Sequence, residues 1–196
     1  MFSELTCTPL LLASSSPRRR EILERLGFAC EVRPAGIDEE SIRHADAAEQ
    51  TLLLAEKKAE VVAVSGRLTV AADTVVVLDG QVMEKPRDKD HARLMLQKLS
   101  GRDHLVYTAV ALVFPKGERL RFLEETRVFF TDLSAETIES YIASAQPYDK
   151  AGGYGAQDAF GMACIRRFEG CYFNVMGFPA SRFMRVLLEN RKFLRD

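Results

Sequence analysis

LLLASSSPRRREILERLG, residues Leu10–Gly27, is the stretch on which the reading of the fold turns. Its apolar run (Leu10, Leu11, Leu12, Ala13) breaks into three serines and a proline, then three arginines, then an amphipathic pattern. That succession predicts strand, tight turn and helix, with Ser16 as N-cap, Pro17 at the first helical position and Gly27 as the stop. Arg18, Arg19 and Arg20 then stand in the first helical turn, where the partial positive charge of the helix end favours acids. A capping box would also place Glu or Gln where Arg19 stands. Hydroxyls, amides and guanidiniums converging at one helix end predict a bound anion, most simply a phosphate chain. The plain alternative is a solvated basic turn after a proline.

The rest of the chain narrows the classes. With 196 residues, 47% hydrophobic and 28% charged, it has an ordinary globular composition with enough material for one core or two small lobes. A formal net charge of −1 lacks the basic excess of a dedicated nucleic-acid binder. No apolar run reaches membrane-spanning length, and Met1–Thr8 lacks the basic-then-apolar layout of a leader. Cys7, Cys30, Cys164 and Cys171 form no CxxC pair, so buried reduced thiols in a cytoplasmic protein are expected. His44, His91 and His104 have no zinc-ligand spacing.

Periodicity lays out the remaining elements. Phe28–Arg33 reads as a strand and Ala47–Val64 as a helix with Leu52, Leu53, Ala55, Ala59 and Val62 inward. Leu68–Ala72 reads as a strand ending at Asp73; Thr74–Leu78 continues extended and meets Gln81–Met83 across Asp79-Gly80, a strong hairpin signal. A helix over Asp88–Leu99 buries Ala92, Met95, Leu96 and Leu99. His104–Phe114, apolar on both faces, reads as a central strand, and Leu120–Thr131 as its hairpin partner. Ser134 caps a helix with Ile138, Tyr141 and Ile142 inward and a Leu133–Ile138 staple. After the glycine-rich loop Ala151–Gly155, a last hairpin is expected from Ala163–Phe168 and Cys171–Val175, then a helix over Pro179–Asn190. With no repeat or linker, residues 1–196 read as a single α/β domain, with two lobes around a cleft as a variant of it.

Four groups of residues are candidates for chemistry. Asp73, at the expected end of a strand, is placed to line a ligand crevice, either as a magnesium ligand or as the base that aligns water on phosphorus. The acidic run Asp38-Glu39-Glu40 reads as solvated loop unless one member meets Asp73 and shares a divalent ion with it. Lys57, Lys58 and Lys85 are candidate phosphate partners, Lys85 held extended by Pro86. Gly152, Gly153 and Gly155 allow a close backbone approach to a ligand. Neither a GxxxxGK[ST] nor a GxGxxG pattern occurs, so neither the P-loop nor the dinucleotide fingerprint is present.

The opening segment, together with AADTVVVLDGQVMEKP (Ala71–Pro86), KLSGRDHLVYTAVAL (Lys98–Leu112) and YDKAGGYGAQ (Tyr148–Gln157), resembles the Maf family of nucleoside triphosphate pyrophosphatases. The resemblance is collinear from Leu10 to Leu188. It implies an α/β fold of the inosine-triphosphate-pyrophosphatase type: a mixed twisted sheet with flanking helices and a deep cleft, often in a homodimer. It also implies hydrolysis between the α- and β-phosphates of a nucleoside triphosphate, with a divalent cation, magnesium or manganese.

Carried over motif by motif, the resemblance puts the catalytic acid on Asp73 and the phosphate and metal contacts on Ser14, Ser16, Arg19, Glu39, Lys58 and Lys85. Glu39 and Asp73 become the metal ligands. Arg18, Thr74 and Gln157 match the branch acting on dTTP and UTP; the branch acting on N7-methylated GTP carries an aromatic residue, Gln and Glu at those places. The Gln157 amide pairs with the N3–H and O4 of uracil or thymine, but on rotation it also pairs with cytosine. Phe160, where many relatives have glycine, is expected at the rim of the base pocket. The rival readings are the same chemistry on another base, and a nucleotide-binding regulator of cell division without turnover. Neither stable nucleic-acid binding nor membrane association is expected.

Overall fold

A computed structural model of the chain describes residues 5–145 and 147–194; residues 1–4 of the stretch read for a leader lie outside them. Strands β1 (Leu10–Leu12), β2 (Cys30–Val32), β3 (Leu68–Leu78), β4 (Gln81–Met83), β5 (Asp103–Val113), β6 (Arg119–Phe130) and β7 (Ile165–Glu169) form one mixed sheet in the order β2-β1-β3-β5-β6-β7, with β4 paired to β3. The helices are α1 (Pro17–Arg25), α2 (Ala47–Val62), α3 (Lys89–Leu99), α4 (Ala135–Ala145), α5 (Ala159–Cys164), α6 (Tyr172–Val175) and α7 (Ala180–Glu189). The expected mixed α/β class is the one observed. Among the described residues no helix is long and apolar enough to cross a membrane.

The chain packs as two compact units, one of Met1–Asp73, Thr108–Glu124 and Gly177–Asp196, the other of Thr74–Tyr107 and Glu125–Met176. In the first unit β1 runs parallel to both β2 and β3, Leu10 facing Cys30 on one side and Leu68 on the other. A three-residue strand buried on both faces must be apolar throughout, which is why LLL works here. The α1 helix ends in a Schellman motif: Gly27 takes φ 96° while its N–H reaches the Glu24 carbonyl and the Phe28 N–H reaches that of Leu23. The α2 helix starts at Asp46, whose carboxylate accepts the Glu49 N–H at 2.8 Å. Its buried face is Thr51, Leu54, Ala55, Lys58, Ala59 and Val62. Leu52 and Leu53, expected inward, are only partly buried; Leu54 and Lys58 take the inner positions.

In the second unit Asp79 (φ 52°) and Gly80 (φ 75°) make the tight turn between β3 and β4. Asp88 caps α3 by accepting the His91 N–H at 2.7 Å, and Ser134 caps α4 by accepting the Thr137 N–H at 3.1 Å. Ala92, Met95, Leu96 and Leu99 from α3 pack with Ile138, Tyr141 and Ile142 from α4 in one core, with Leu133 against it.

The expected last hairpin is wrong. Residues 159–164 are helical, β7 starts only at Ile165 and pairs antiparallel with β6, and Cys171–Val175 is not a strand. Its alternation of Cys171, Phe173 and Val175 resembles a strand, but Asn174 between them is fully buried. The Asn174 amide donates to the Val106 carbonyl at 3.0 Å and to Thr126 Oγ1 at 2.9 Å, bonds that require the helical turn α6. The cysteines also depart in part from expectation. All four are free, but only Cys164 is buried; Cys30 and Cys171 are partly exposed and Cys7 is exposed.

Candidate functional site

Ser14, Ser16, Arg18, Arg19, Glu39, Lys58 and Asp73 all belong to the first unit. Asp73 does not end a strand as expected; it sits inside β3. The strand runs on because Thr74–Leu78 is rich in β-branched residues and because β4 pairs with Val76–Leu78. A carboxylate in mid-strand with only 8% of its surface exposed needs a partner. Lys58, on the inner face of α2 and 9% exposed, supplies it: its Nζ donates to Asp73 Oδ1 at 2.7 Å. The same ammonium lies 2.9 Å from Glu39 Oε1.

Glu39 opens a short 3-10 turn, Glu39–Ser41, capped by the Asp38 carboxylate on the Glu40 N–H. Thus Asp38 is structural, and Glu39 is the member of the acidic run that meets Lys58. Lys57 is exposed, with Glu60 3.9 Å away, in keeping with a solvated lysine.

The entrance to α1 departs from expectation in one respect. Ser16 occupies the N-cap position and Pro17 follows it, but the Ser16 hydroxyl makes no capping bond. Ser14 organises the turn instead: its buried Oγ accepts the Ser16 N–H and Arg19 Nη1, each at 3.2 Å. Arg19 also donates from Nε to the Gly177 carbonyl at 3.0 Å, so its guanidinium is fixed from two sides. Desolvation pulls Arg19 below its ordinary pKa, opposed by the Asp73 and Glu39 charges and reinforced by Arg18. The arginine triplet therefore splits. Arg19 is turned inward and feels Asp73; Arg18 is partly buried; Arg20 lies on the exposed face, paired with Glu24 at 2.7 Å.

The result is a charge-balanced group of Arg19, Lys58, Asp73 and Glu39 beside the positive end of α1. Among the described residues no three His, Cys, Asp or Glu side chains gather as a metal cluster. The pair that does converge on a cation, Asp73 and Glu39 on the Lys58 ammonium, matches how magnesium is commonly held, by one or two carboxylates with substrate phosphates completing the shell.

Thr74, Lys85 and Gln157 belong to the second unit. Lys85 is exposed and Gln157 partly buried. Both are carried by segments packed on each other: the Gly152 N–H reaches the Glu84 carbonyl at 3.2 Å, and a Cβ at Gly153 would meet Pro86 at 3.4 Å. Gly152 (φ 71°) lies against Val76 of β3, with no room for a side chain. Tyr154 anchors the loop from inside, its hydroxyl 2.6 Å from His104 Nε2. Burial pushes that imidazole down to about 4.

Phe160, expected at the pocket rim, is a core residue: 7% exposed and stacked on Tyr141 with centroids 4.1 Å apart. Helix α5 turns residue 160 inward, as a solvent-facing loop would not. A cavity of about 430 Å³ does lie between α4 and the start of α5, lined by Ser140, Tyr141, Asp158 and Phe160 among others; Thr74, Lys85 and Gln157 are not in its lining.

One anchor escaped the sequence reading: Gly177 contributes only a carbonyl, which leaves no trace in a residue pattern. Lys150 lies in the run Asp149-Lys150-Ala151-Gly152, part of the stretch that carries the resemblance to the pyrimidine branch; the structure adds that its side chain is only 11% exposed and paired with Asp149.

Residues 9–190 match the family described as Maf-like protein. The chain belongs to the Maf family. Its curated relatives include the dTTP/UTP pyrophosphatase of Carboxydothermus hydrogenoformans, 44% identical over 92% of this chain and 97% of that protein. The dTTP/UTP pyrophosphatase of Thermus thermophilus is 47% identical over 91% of this chain and 93% of that protein. That of Salinibacter ruber is 44% identical over 94% and 91% respectively. Membership in the Maf family extends over nearly all of the described residues, both units included.

Proposed function

We propose that this chain is a nucleoside triphosphate pyrophosphatase that hydrolyses dTTP and UTP to the monophosphate and pyrophosphate. The observation that carries the reading is the buried Lys58 ammonium held between Asp73 and Glu39, with Arg19 pinned nearby at the entrance to α1. A buried Lys58–Asp73 pair beside an exposed Glu39 and a partly buried Arg19, close to a helix N-terminus, fits a highly charged ligand better than a structural role. The names of the Maf relatives support the substrate class.

In this reading Arg19 and Lys58 neutralise the triphosphate, and Ser14 keeps Arg19 aimed. Asp73 orients or deprotonates the water that attacks the α-phosphorus, and pyrophosphate leaves in line. Reactions of this kind need chiefly positioning and charge stabilisation, which fixed cations supply. A divalent cation, magnesium or manganese, would be held by Asp73 and Glu39 and would add charge neutralisation on the phosphate oxygens. In the second unit Lys85 offers a further cation for phosphate, and the Gln157 amide offers the acceptor and donor that a uracil or thymine edge requires. Arg18 and Thr74 complete the residue set that matches the pyrimidine branch. The cytoplasmic setting rests on the free thiols, and assembly as a homodimer on the family resemblance alone.

Initial rates over a panel of nucleoside triphosphates, with pyrophosphate detected and magnesium or manganese supplied, test this reading. Preferred release from dTTP and UTP is expected. Preference for N7-methyl-GTP would reassign the base, and binding without release at catalytic enzyme concentrations would make the chain a regulator. Light scattering tests the homodimer, which a monomeric mass would exclude.

A further inference from the structure

The loop that carries Gln157 has a buried cation which the proposed chemistry does not use. The Lys150 side chain is only 11% exposed; its ammonium donates to Asp149 Oδ1 at 2.8 Å and lies 3.8 Å from Asp158 Oδ2. Lys150 thus opens the segment 150–158, and its charge reaches the residue that closes it, immediately after Gln157. Two glycines allow that closure. A Cβ at Gly155 would lie 2.5 Å from the Asp158 carboxylate, and one at Gly161 would lie 2.7 Å from the Ala156 Cα. The backbone of the segment is therefore drawn in on both sides, with Gly152–Ala156 buried.

A bulky lysine buried at such a point is costly unless it does something a neutral residue would not. We propose that Lys150 is a positioning residue for substrate specificity: by bridging Asp149 and Asp158 it closes the loop and fixes where the Gln157 amide stands. The proposal rests on the reading of Gln157 as the group that meets a pyrimidine edge. Loosening the bridge moves the amide, so binding and base discrimination are lost while the phosphate chemistry of the first unit is kept.

Lys150→Met removes the charge and keeps the length, Lys150→Arg keeps the charge, and Asp158→Asn breaks the bridge from its partly exposed end. Steady-state rates of pyrophosphate release from UTP and CTP are measured for each variant. For Lys150→Met and Asp158→Asn, KM for UTP rises on the order of tenfold with kcat near that of the unchanged protein, and the preference for UTP over CTP narrows. Lys150→Arg restores most of both, and the double variant adds little to either single one. Hydrogen exchange of residues 151–157 is followed in parallel and rises in Lys150→Met with exchange in α1 and α2 unchanged. If the unchanged protein releases no pyrophosphate from any nucleotide, the function reading fails while hydrogen exchange still judges the bridge. Unaltered exchange in the loop, or equal kcat losses for both nucleotides with KM untouched, overturns the proposal.

Discussion

The two units hold their candidate residues by different physical means. In the first, Lys58 of α2 pairs directly with Asp73 of β3 and with Glu39, while Arg19 of α1, held by Ser14 and the Gly177 carbonyl, feels the charges of both acids. In the second, Gln157 rides on a loop held by shape: glycines too close to their neighbours for any side chain, a buried Tyr154–His104 contact and a single lysine bridge. A charge cluster tolerates changes of outline but not of sign; the loop tolerates no added outline at its glycines, and its one point of charge sensitivity is the Lys150 bridge.

That contrast is broken most severely by Asp73→Asn, which keeps outline and removes charge. Turnover should fall by about a thousandfold, the range for a lost general base, with nucleotide binding still measurable by calorimetry. Near-normal turnover would remove Asp73 from the chemistry. Lys58→Met leaves Asp73 buried without its cation, and a loss of about 3–5 kcal/mol in urea denaturation is expected. A cost below about 1 kcal/mol would mean that water reaches the pair freely.

The second unit supplies a pH effect. Folded, His104 stays neutral down to about 4, whereas in the unfolded chain it titrates near its ordinary 6.5. The unfolded state therefore binds more protons in that window, and stability is full above 6.5 and declines as the pH falls toward 4. The ceiling on this loss is about 3 kcal/mol, and His104→Gln should flatten the curve of denaturation midpoint against pH. A curve of the same slope in that variant would assign the effect elsewhere.

Smaller still is Gly161→Ala, one methyl driven toward the Ala156 backbone. A loss of about 2 kcal/mol is expected, together with a raised KM, because the loop must move to admit it. In the first unit an added methyl at an exposed charge should do far less. Smallest of all is Arg20→Ala: its Glu24 partner is on the same exposed helix face, so denaturation midpoint and turnover should both stay where they are. A large drop in turnover would show that the whole arginine triplet, and not Arg19, addresses the ligand.

The same contrast explains what could be read in advance. Arg19 was legible because a cation in the first turn of a helix contradicts local electrostatics, and Asp73 because a carboxylate inside an apolar run contradicts burial. Helix α3 and the Asp79-Gly80 hairpin were legible because each satisfies its pattern locally. The Cys171–Val175 segment reads wrongly as a strand because its five residues carry both a strand-like alternation and a helical turn; only the bonds of Asn174 to β5 and β6 decide between them.

Sequence alone thus determined the α/β order of elements as far as the glycine-rich loop, the Ser134 cap, the Asp79-Gly80 turn and the positions where charge is out of place, since all of these arise among residues close along the chain. The tertiary structure decided which of three arginines turns inward, which of three acids meets Lys58, that β3 passes through Asp73 without ending, and that Phe160 and Lys150 are buried. Each of those outcomes depends on desolvation and pairing between residues far apart in sequence, and a residue pattern carries no record of which distant partner will offset the loss of water.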